Sequence, residues 1–465
     1  MVLKMKNGNQ AVLINGPVGR TLLQLSLPMM VGMIGMVIFN LVDAYFISKL
    51  GTAALAAMTF TLPVIMLQGS IAMGLGIGTS SVISRLIGEG NPSKVRRQTT
   101  DSLLLSLLIV IFIAIIGILT VRPLFSMLGA RGEILELAID YMMIWYYGVA
   151  FVVIPMVGNN AIRAVGNTVI PSVIMSVAVV VNCILDPMLI FGIGPFPEMG
   201  MQGAALATVI ARATTLIFAL FFLHKKFDML TFQAPKLKEL LLSWKEILYV
   251  GIPAALTMII NPLAFGFITK LVSSYSKEAV AALGVGSRVE MFALSPLMAL
   301  SSVLIPFVGQ NLGAKKIDRV KKGIYASQLF SVFLGLFMFM FFIFFRYWVG
   351  GFFGESEKVV AIFSTYILIS SAGYGFLGIF FINNSVFNAI KQPITATFLN
   401  IIRMFFLYIP FAWILSYIFQ LKGIFWGIFI SSVISGILSL VWVKSRVNKL
   451  MIDQQELKTK RFSLD

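Results

Sequence analysis

Twelve stretches of the chain are apolar for about 20 residues or more, the length a helix needs to cross the hydrocarbon core of a bilayer. Their limits are 21–48, 53–81, 102–121, 138–158, 168–192, 200–223, 247–272, 280–309, 323–345, 359–387, 394–419 and 423–443. Runs such as Leu103–Thr120 and Leu329–Phe345 do not alternate apolar and polar residues, as the strands of a membrane barrel would. Lipid offers the backbone no hydrogen-bond partners, so a spanning segment that is not part of a closed barrel must be helical. The sequence therefore predicts an all-α membrane protein with twelve transmembrane helices. Residues 1–20 hold no long apolar core, and no cleaved signal peptide is expected.

Charged residues make up 12% of the chain, about half the share usual in soluble proteins, which excludes a soluble enzyme or a coiled coil. The net charge of +17 is explained by placement rather than by nucleic acid. Of 36 Lys and Arg, 25 lie on the two tails and the even-numbered loops, eight lie on the odd loops, and Arg212, Arg288 and Arg403 lie inside helices. Basic residues collect on cytoplasmic loops, so both termini are expected in the cytoplasm and the protein in a plasma membrane. The single cysteine, Cys183, excludes an intramolecular disulfide, and the single histidine, His224, excludes a His-x-x-x-His metal pair. No Gly-x-x-x-x-Gly-Lys-Ser/Thr loop is present, so ATP hydrolysis is not expected. The expectation is no cofactor, with an ion gradient as the energy source.

The sequence also repeats. Leu25–Pro28 matches Val250–Pro253 and Ala56-Ala57 matches Ala281-Ala282, both 225 residues on; Asn159-Asn160 matches Asn383-Asn384 and Gly203 matches Gly427, both 224 on. The expected organisation is an amino-terminal lobe (1–223, helices 1–6), a cytoplasmic linker (224–246), a carboxy-terminal lobe (247–443, helices 7–12) and a cytoplasmic tail (444–465). Six crossings per lobe is an even number, so the two pseudo-symmetric lobes enter the membrane from the same side. Duplicated lobes without an ATPase point to secondary transport by alternating access.

Charge inside a bilayer costs roughly 2.5–3.5 kcal/mol per residue on insertion scales, so intramembrane acids are functional candidates. Asp43, Asp186 and Glu290 are the three inside predicted helices. Asp43 lies six residues before Lys49 and Asp186 six before Gly192, which places both about 9 Å from the outer ends of helices one and five. Asn40 and Asn182 stand one turn below these acids, and Thr208 reaches a comparable depth on helix six. Two carboxylates with amides and a hydroxyl suit a proton, through a raised carboxyl pKa, or a sodium ion held by hard oxygens at Asp43, Asn182, Asp186 and Thr208. The repeat puts Ile268 and Pro410 at the equivalent positions, so this acid pair belongs to one lobe only. Pro28, below Asp43, predicts a kink that serves as a hinge. Glu290 beside Arg288 reads as an internally neutralised pair. Asp140 reads as a cap of helix four, with Tyr141 next to it open to a cavity, and Gly74, Gly76 and Gly78 read as a close-packing helix face.

Several stretches together resemble the MATE (multidrug and toxic compound extrusion) transporters. They are Asn40–Asp43 with Leu50–Ala57, Gly88–Asn91, Ala161–Asn167, Asn182–Pro187 with Leu189–Gly192, Gly203–Thr208 and Gly309–Ala314. The resemblance spans all twelve helices. It implies two six-helix lobes and export of amphipathic, often cationic organic compounds in exchange for protons or sodium. It also implies an amino-lobe ion site at Asp43, Asn182, Asp186 and Thr208, cavity positions at Tyr141, Asn159 and Asn40, and a bending Pro28. NorM-like and eukaryotic relatives carry a Glu in helix seven where this chain has Asn261, and helix ten has no acid, which points to the DinF-like branch. Phe39 stands where many relatives have Tyr. The partners expected are small amphipathic substrates and membrane lipids, with no nucleic acid, and the protein is expected to be a monomer. A flippase of lipids or lipid-linked glycans is the rival within the superfamily. An intramembrane enzyme lacks its motifs here.

Overall fold

The computed structural model describes residues 11–353 and 356–462, without the side chains of Asn40 and of 453–462. Among these residues the elements are helical: α1 (Val18–Ser48), α2 (Thr52–Gly88), α3 (Pro92–Met127), α4 (Gly132–Ala164), α5 (Val169–Phe191) and α6 (Gly200–Phe221) form the first six crossings. The second half holds α7 (Leu237–Ser273), α8 (Lys277–Gly313), α9 (Ile317–Phe353), α10 (Glu357–Ser371), α11 (Tyr374–Ala389), α12 (Pro393–Ile401) and α13 (Ile409–Phe462). Ten of these helical stretches are long and apolar enough to span a membrane alone, and α10 with α11 makes an eleventh. The twelfth comes from α13, which Gln420 (φ 52°, ψ −135°) divides in two.

Three departures from the expected helices have local causes. The tenth crossing is not one helix: α10 and α11 meet at 54°. Ser370, Ser371 and Gly373 sit at the break, where serine hydroxyls compete for backbone carbonyls and glycine lowers helix stability; Ser371 Oγ donates to the Leu368 carbonyl at 3.1 Å. Crossings eleven and twelve fold back tightly because Gly423 and Gly427 have no side chain. A Cβ on Gly423 would stand 1.9 Å from the Leu415 carbonyl oxygen, and one on Gly427 2.4 Å from the Ala412 nitrogen. Wide π-helical turns occupy Phe222–Lys226 and Ile402–Tyr408, and the second joins α12 to α13. The last helix runs on to Phe462, well past residue 443.

Compactness divides the chain elsewhere than helix count does. One unit contains Leu27–Ala255; the other contains Leu13–Ser26 and the chain from Leu256 onward. Both dividing points lie within two residues of a repeat-related proline, Pro28 in α1 and Pro253 in α7.

In the first unit the opening half of α7 packs on α2 and α3. A Cβ on Gly74 would meet the Gly251 carbonyl oxygen at 2.4 Å, and one on Gly78 the Ile247 carbonyl oxygen at 2.4 Å, so these two form a close-packing face toward α7, while Gly76 packs on Asn160 of α4 instead. Gln98 Nε2 donates to the Ser243 carbonyl at 3.0 Å and Trp244 Nε1 to the Asp101 carbonyl at 3.0 Å. In the second unit a strap at residues 13–16 is held by the turn between α8 and α9. The Leu13 N–H donates to Gln310 Oε1 at 3.0 Å, Lys316 Nζ donates to the Ile14 carbonyl at 3.0 Å, and Arg319 donates to the Gly16 carbonyl at 2.7 Å.

Substituting Gly78→Val is expected to cost about 1–3 kcal/mol by overpacking and to lower the thermal unfolding midpoint in detergent. Gly69→Ala, whose Cβ meets nothing within 4 Å, is expected to stay within about 0.5 kcal/mol of the parent. Equal midpoints for the two variants would show that the α2–α7 approach is not close-packed.

Candidate functional site

Helices α1 and α5 lie side by side in steady register. Ser172 Oγ donates to the Pro28 carbonyl at 2.5 Å, Val179 packs against Gly35, and the rings of Phe46 and Phe191 meet edge to face at 6.3 Å. The paired residues are 144, 144 and 145 apart. Carried outward, this register brings Asp43 level with Pro187 and Met188, one residue beyond Asp186, and the two acids are electrostatic neighbours.

Helix α6 runs antiparallel beside α5. The Met199 N–H donates to the Leu189 carbonyl at 3.0 Å, and Gly203 lets α6 come so close that a Cβ there would lie 2.3 Å from the same oxygen. Thr208 then falls between the levels of Asp186 and Asn182. The four residues expected to form an ion site thus come from three helices of one unit at one depth, with Asp43 an electrostatic neighbour of Asp186.

All four are sealed. Asp186 and Asn182 are 0% exposed, Thr208 2% and Asp43 6%. One hydrogen bond links them, Asn182 Nδ2 donating to Asp186 Oδ1 at 2.9 Å. Asp43 Oδ1, Asp186 Oδ2, Asn182 Oδ1 and Thr208 Oγ1 each lack a partner. Buried polar atoms are almost always paired, so four unpaired oxygens at one depth suit a proton or a hard cation. Hard oxygen donors of this kind suit sodium better than a transition metal. Among the described residues no group of three or more His, Cys, Asp or Glu is placed to hold a metal ion.

Tyr141 of α4 completes the group, with Asp43, Asp186 and Arg212 as its charged neighbours. Its ring stacks on Trp145 (6.3 Å, 15°), and Trp145 Nε1 donates to Gln68 Oε1 at 2.6 Å. Arg212 is the member that sequence reasoning did not assign to the site. It lies one helical turn from Thr208, and that i, i+4 spacing was the available signal. Its guanidinium stands 4.8 Å from the centre of the Phe39 ring, and Asp43 heads its charged neighbours. Its Nε is buried without a partner. Phe39 therefore offers a ring face to this cation.

The remaining candidates are placed differently. Asn159 follows Tyr141 by 18 residues on α4, about 27 Å along the helix, so it is not part of this group; its Oδ1 is buried and unpaired. Asn40 lies on α1, and its side chain is outside the described residues. Helix α1 runs through Pro28 without a break. Asp140 does not cap α4, which starts eight residues earlier at Gly132; its side chain is exposed. Glu290 does not pair with Arg288: residues two apart on a helix face different ways, and Glu290 accepts instead from the Tyr366 hydroxyl at 2.7 Å. Asn261 sits in a neutral ladder, accepting from Asn400 Nδ2 at 3.4 Å.

Comparison with known proteins agrees with this arrangement. The MatE family model matches the chain twice, over residues 28–188 and 253–414, starting at the two repeat-related prolines. A FAD transporter of Shewanella oneidensis is 39% identical over 425 residues, covering 91% of this chain and 94% of that protein. The multidrug export protein MepA of Staphylococcus aureus is 28% identical, covering 95% of this chain and 97% of that protein. The Vibrio cholerae MATE transporter VcmN in its bent form superposes with a TM-score of 0.89 at 29% identity, covering 94% of this chain and 98% of that one. With both halves matched by the family model and the two-lobe, twelve-helix fold shared with its solved members, the chain belongs to the MATE family: it is a membrane transporter of small organic compounds and not an enzyme.

Proposed function

We propose that the chain is a secondary antiporter that exports amphipathic organic compounds in exchange for protons or sodium, with its ion site at Asp43, Asn182, Asp186 and Thr208. The observation that carries this reading is the cluster of four sealed oxygens without partners, two of them on carboxylates, in one lobe. A structural staple would close its own hydrogen bonds. This cluster leaves them open, as a site that fills and empties must. Filling it with a cation or a proton removes negative charge from beside Arg212 and Tyr141, and that change is what the transported compound senses. One charge crossing 100 mV is worth about 2.3 kcal/mol, so one or two ions sustain a substantial outward gradient.

Pro28 supplies the motion in this reading. A proline inside a helix leaves one carbonyl without its N–H, so α1 bends there at low cost. The bond from Ser172 to the Pro28 carbonyl ties α1 to α5 at this level, and neutralising Asp43 loosens α1 from α5 above it. The bent form described for VcmN supports a bending family member. The tails, by the distribution of Lys and Arg, face the cytoplasm, and one chain is sufficient for transport.

A second substrate reading has an observation of its own. Arg212 over Phe39 offers a guanidinium and an aromatic face side by side, which suits a planar ring bearing phosphates. The relative named as a FAD transporter points the same way, so flavin dinucleotide belongs in any substrate panel beside cationic dyes.

In proteoliposomes driven separately by a proton and a sodium gradient, Asp43→Asn and Asp186→Asn are each expected to cut export of a fluorescent dye or of FAD at least tenfold. Undiminished transport in both would sink the site. Because Asp43 is in no ion pair, Asp43→Asn is expected to spare the roughly 3–5 kcal/mol that breaking a buried pair costs. Thermal unfolding in detergent checks this, and a loss of that size would recast Asp43 as a structural anchor. Ser172→Ala is expected to speed the bending of α1, read as exchange between two distances from a spin-label pair across Pro28. An unchanged exchange rate would exclude Ser172 as its restraint.

A further inference from the structure

The second half of the chain holds an ionisable cluster of its own, a half-buried Glu290 among a buried arginine and buried tyrosines. Glu290 of α8 stands about 20 Å along the helix from Lys277, deep in the apolar span. The Tyr366 hydroxyl of α10 donates to its Oε2 at 2.7 Å. Gly286, one turn before Glu290, makes that contact possible: a Cβ there would lie 2.4 Å from the Tyr366 ring. The charged and titratable groups facing Glu290 are Tyr366 from α10, Tyr374 from α11, and Arg403 and Tyr408 from the π-helical turn Ile402–Tyr408. Arg288, on its own helix, points outward and is exposed.

This cluster is not closed. Arg403 is 7% exposed, and its guanidinium stands 5.1 Å from the centre of the Phe380 ring and 5.7 Å from that of Phe381. Its Nε has no acceptor, nor does the Tyr374 hydroxyl, although Tyr374 is 1% exposed. Glu290 is within electrostatic reach of Arg403 but makes no ion pair with it. A network whose only task is to hold helices together would pair its carboxylate with its guanidinium, because an unpaired buried ion costs several kcal/mol. Two open donors beside an under-bonded carboxylate describe a cluster with a second arrangement available.

Backbone and repeat point to the same place. Tyr374 comes from the α10–α11 break and Arg403 and Tyr408 from the π-helical turn, and interrupted helices inside a membrane are where transporters build their ion sites. Helix α10 starts 225 residues after α4, and its buried positions Phe363, Tyr366, Ile367 and Ser370 repeat Ala138, Tyr141, Met142 and Trp145. Tyr366 is thus the repeat partner of Tyr141, the tyrosine that faces Asp43 and Asp186. Each lobe keeps the tyrosine, and each has an acid before it, but the acid has moved from α1 and α5 to α8.

We propose that Glu290 is a second proton site of this transporter, loaded and unloaded in each cycle, with Tyr366 as its hydrogen-bond donor and Arg403 as its counter-charge. Ionised, Glu290 balances Arg403. A proton arriving from water bonds to the free carboxylate oxygen, Tyr366 keeps its bond to the other, and the cluster gains one positive charge, which drives Arg403 to seek a new acceptor. On release the proton returns to water on the opposite side. The proposal rests on ion-driven transport but not on which ion the amino-terminal lobe takes.

Infrared difference spectra of the reconstituted protein, recorded between acidic and alkaline pH, test it. A protonated-carboxyl band is expected on acidification. It should vanish in Glu290→Gln, shift in Tyr366→Phe and persist when Asp43 and Asp186 are both replaced by Asn. The zero-flux potential should report one proton fewer per compound exported in Glu290→Gln. No band lost in Glu290→Gln, or an unchanged proton count, overturns the proposal. If Glu290→Gln does not fold, Tyr366→Phe carries the test, and an unshifted band overturns it. Wild-type transport that runs without any ion gradient would instead remove the coupling reading, and that is seen before any variant is made.

Discussion

A charged side chain inside a bilayer has no water to fall back on, so every one that remains must be matched by the protein or left open for something that arrives. The architecture of this transporter follows from that constraint. The backbone closes on itself in helices, polar side chains return their hydrogens to carbonyls one turn back, and amides and hydroxyls pair across helices, as Thr257 and Thr397 do at 3.1 Å. Against that background some buried polar atoms stay unmatched, and two groups of them stand around Asp43 and Asp186 in one half and around Arg403 and Tyr374 in the other.

Leaving these two groups open has an energetic logic. Closing these clusters with one more hydroxyl or amide would have added to stability, since an unsatisfied buried group costs roughly 1–3 kcal/mol. Keeping them open holds part of the folding free energy in reserve at the places where an ion or compound can release it. The two halves hold that reserve differently. The first combines two acids with one cation on unbroken helices; the second combines one acid on an unbroken helix with one cation on a π-helical turn. Internal duplication followed by divergence of the charged residues, with the tyrosine retained in both, accounts for the difference.

Much of this was legible in the sequence because the bilayer makes charge conspicuous. Hydrophobic length gave the crossings, the constant offset gave the repeat, and counting residues from helix ends put Asp43 and Asp186 at one depth, where the α1–α5 register brings them nearly level. What could not be read was which way each side chain faces. Arg212 was visible as a helical arginine, but its place beside Asp43 depends on how α6 turns against α1. Glu290 had a sequence neighbour of opposite charge and a spatial partner, Tyr366, 76 positions away. Asp140 looked like a cap because the first turns of α4, with Glu133 and Glu136, are too polar to reveal where the helix begins. The break after Ser371 left only a serine pair and a glycine as its trace.

The strap at residues 13–16 sets an order of assembly. Its clamps, Gln310, Lys316 and Arg319, lie some 300 positions later in the chain, with separations of 297, 302 and 303 for the three bonds described. At about 5–20 residues per second of synthesis, the strap waits roughly 15 to 60 s before its binding partners exist. It is therefore made early and seated late. A nascent chain that has inserted its first six helices is still missing the contacts that fix where helix one begins, and those contacts form only after the second half has been translated into the membrane.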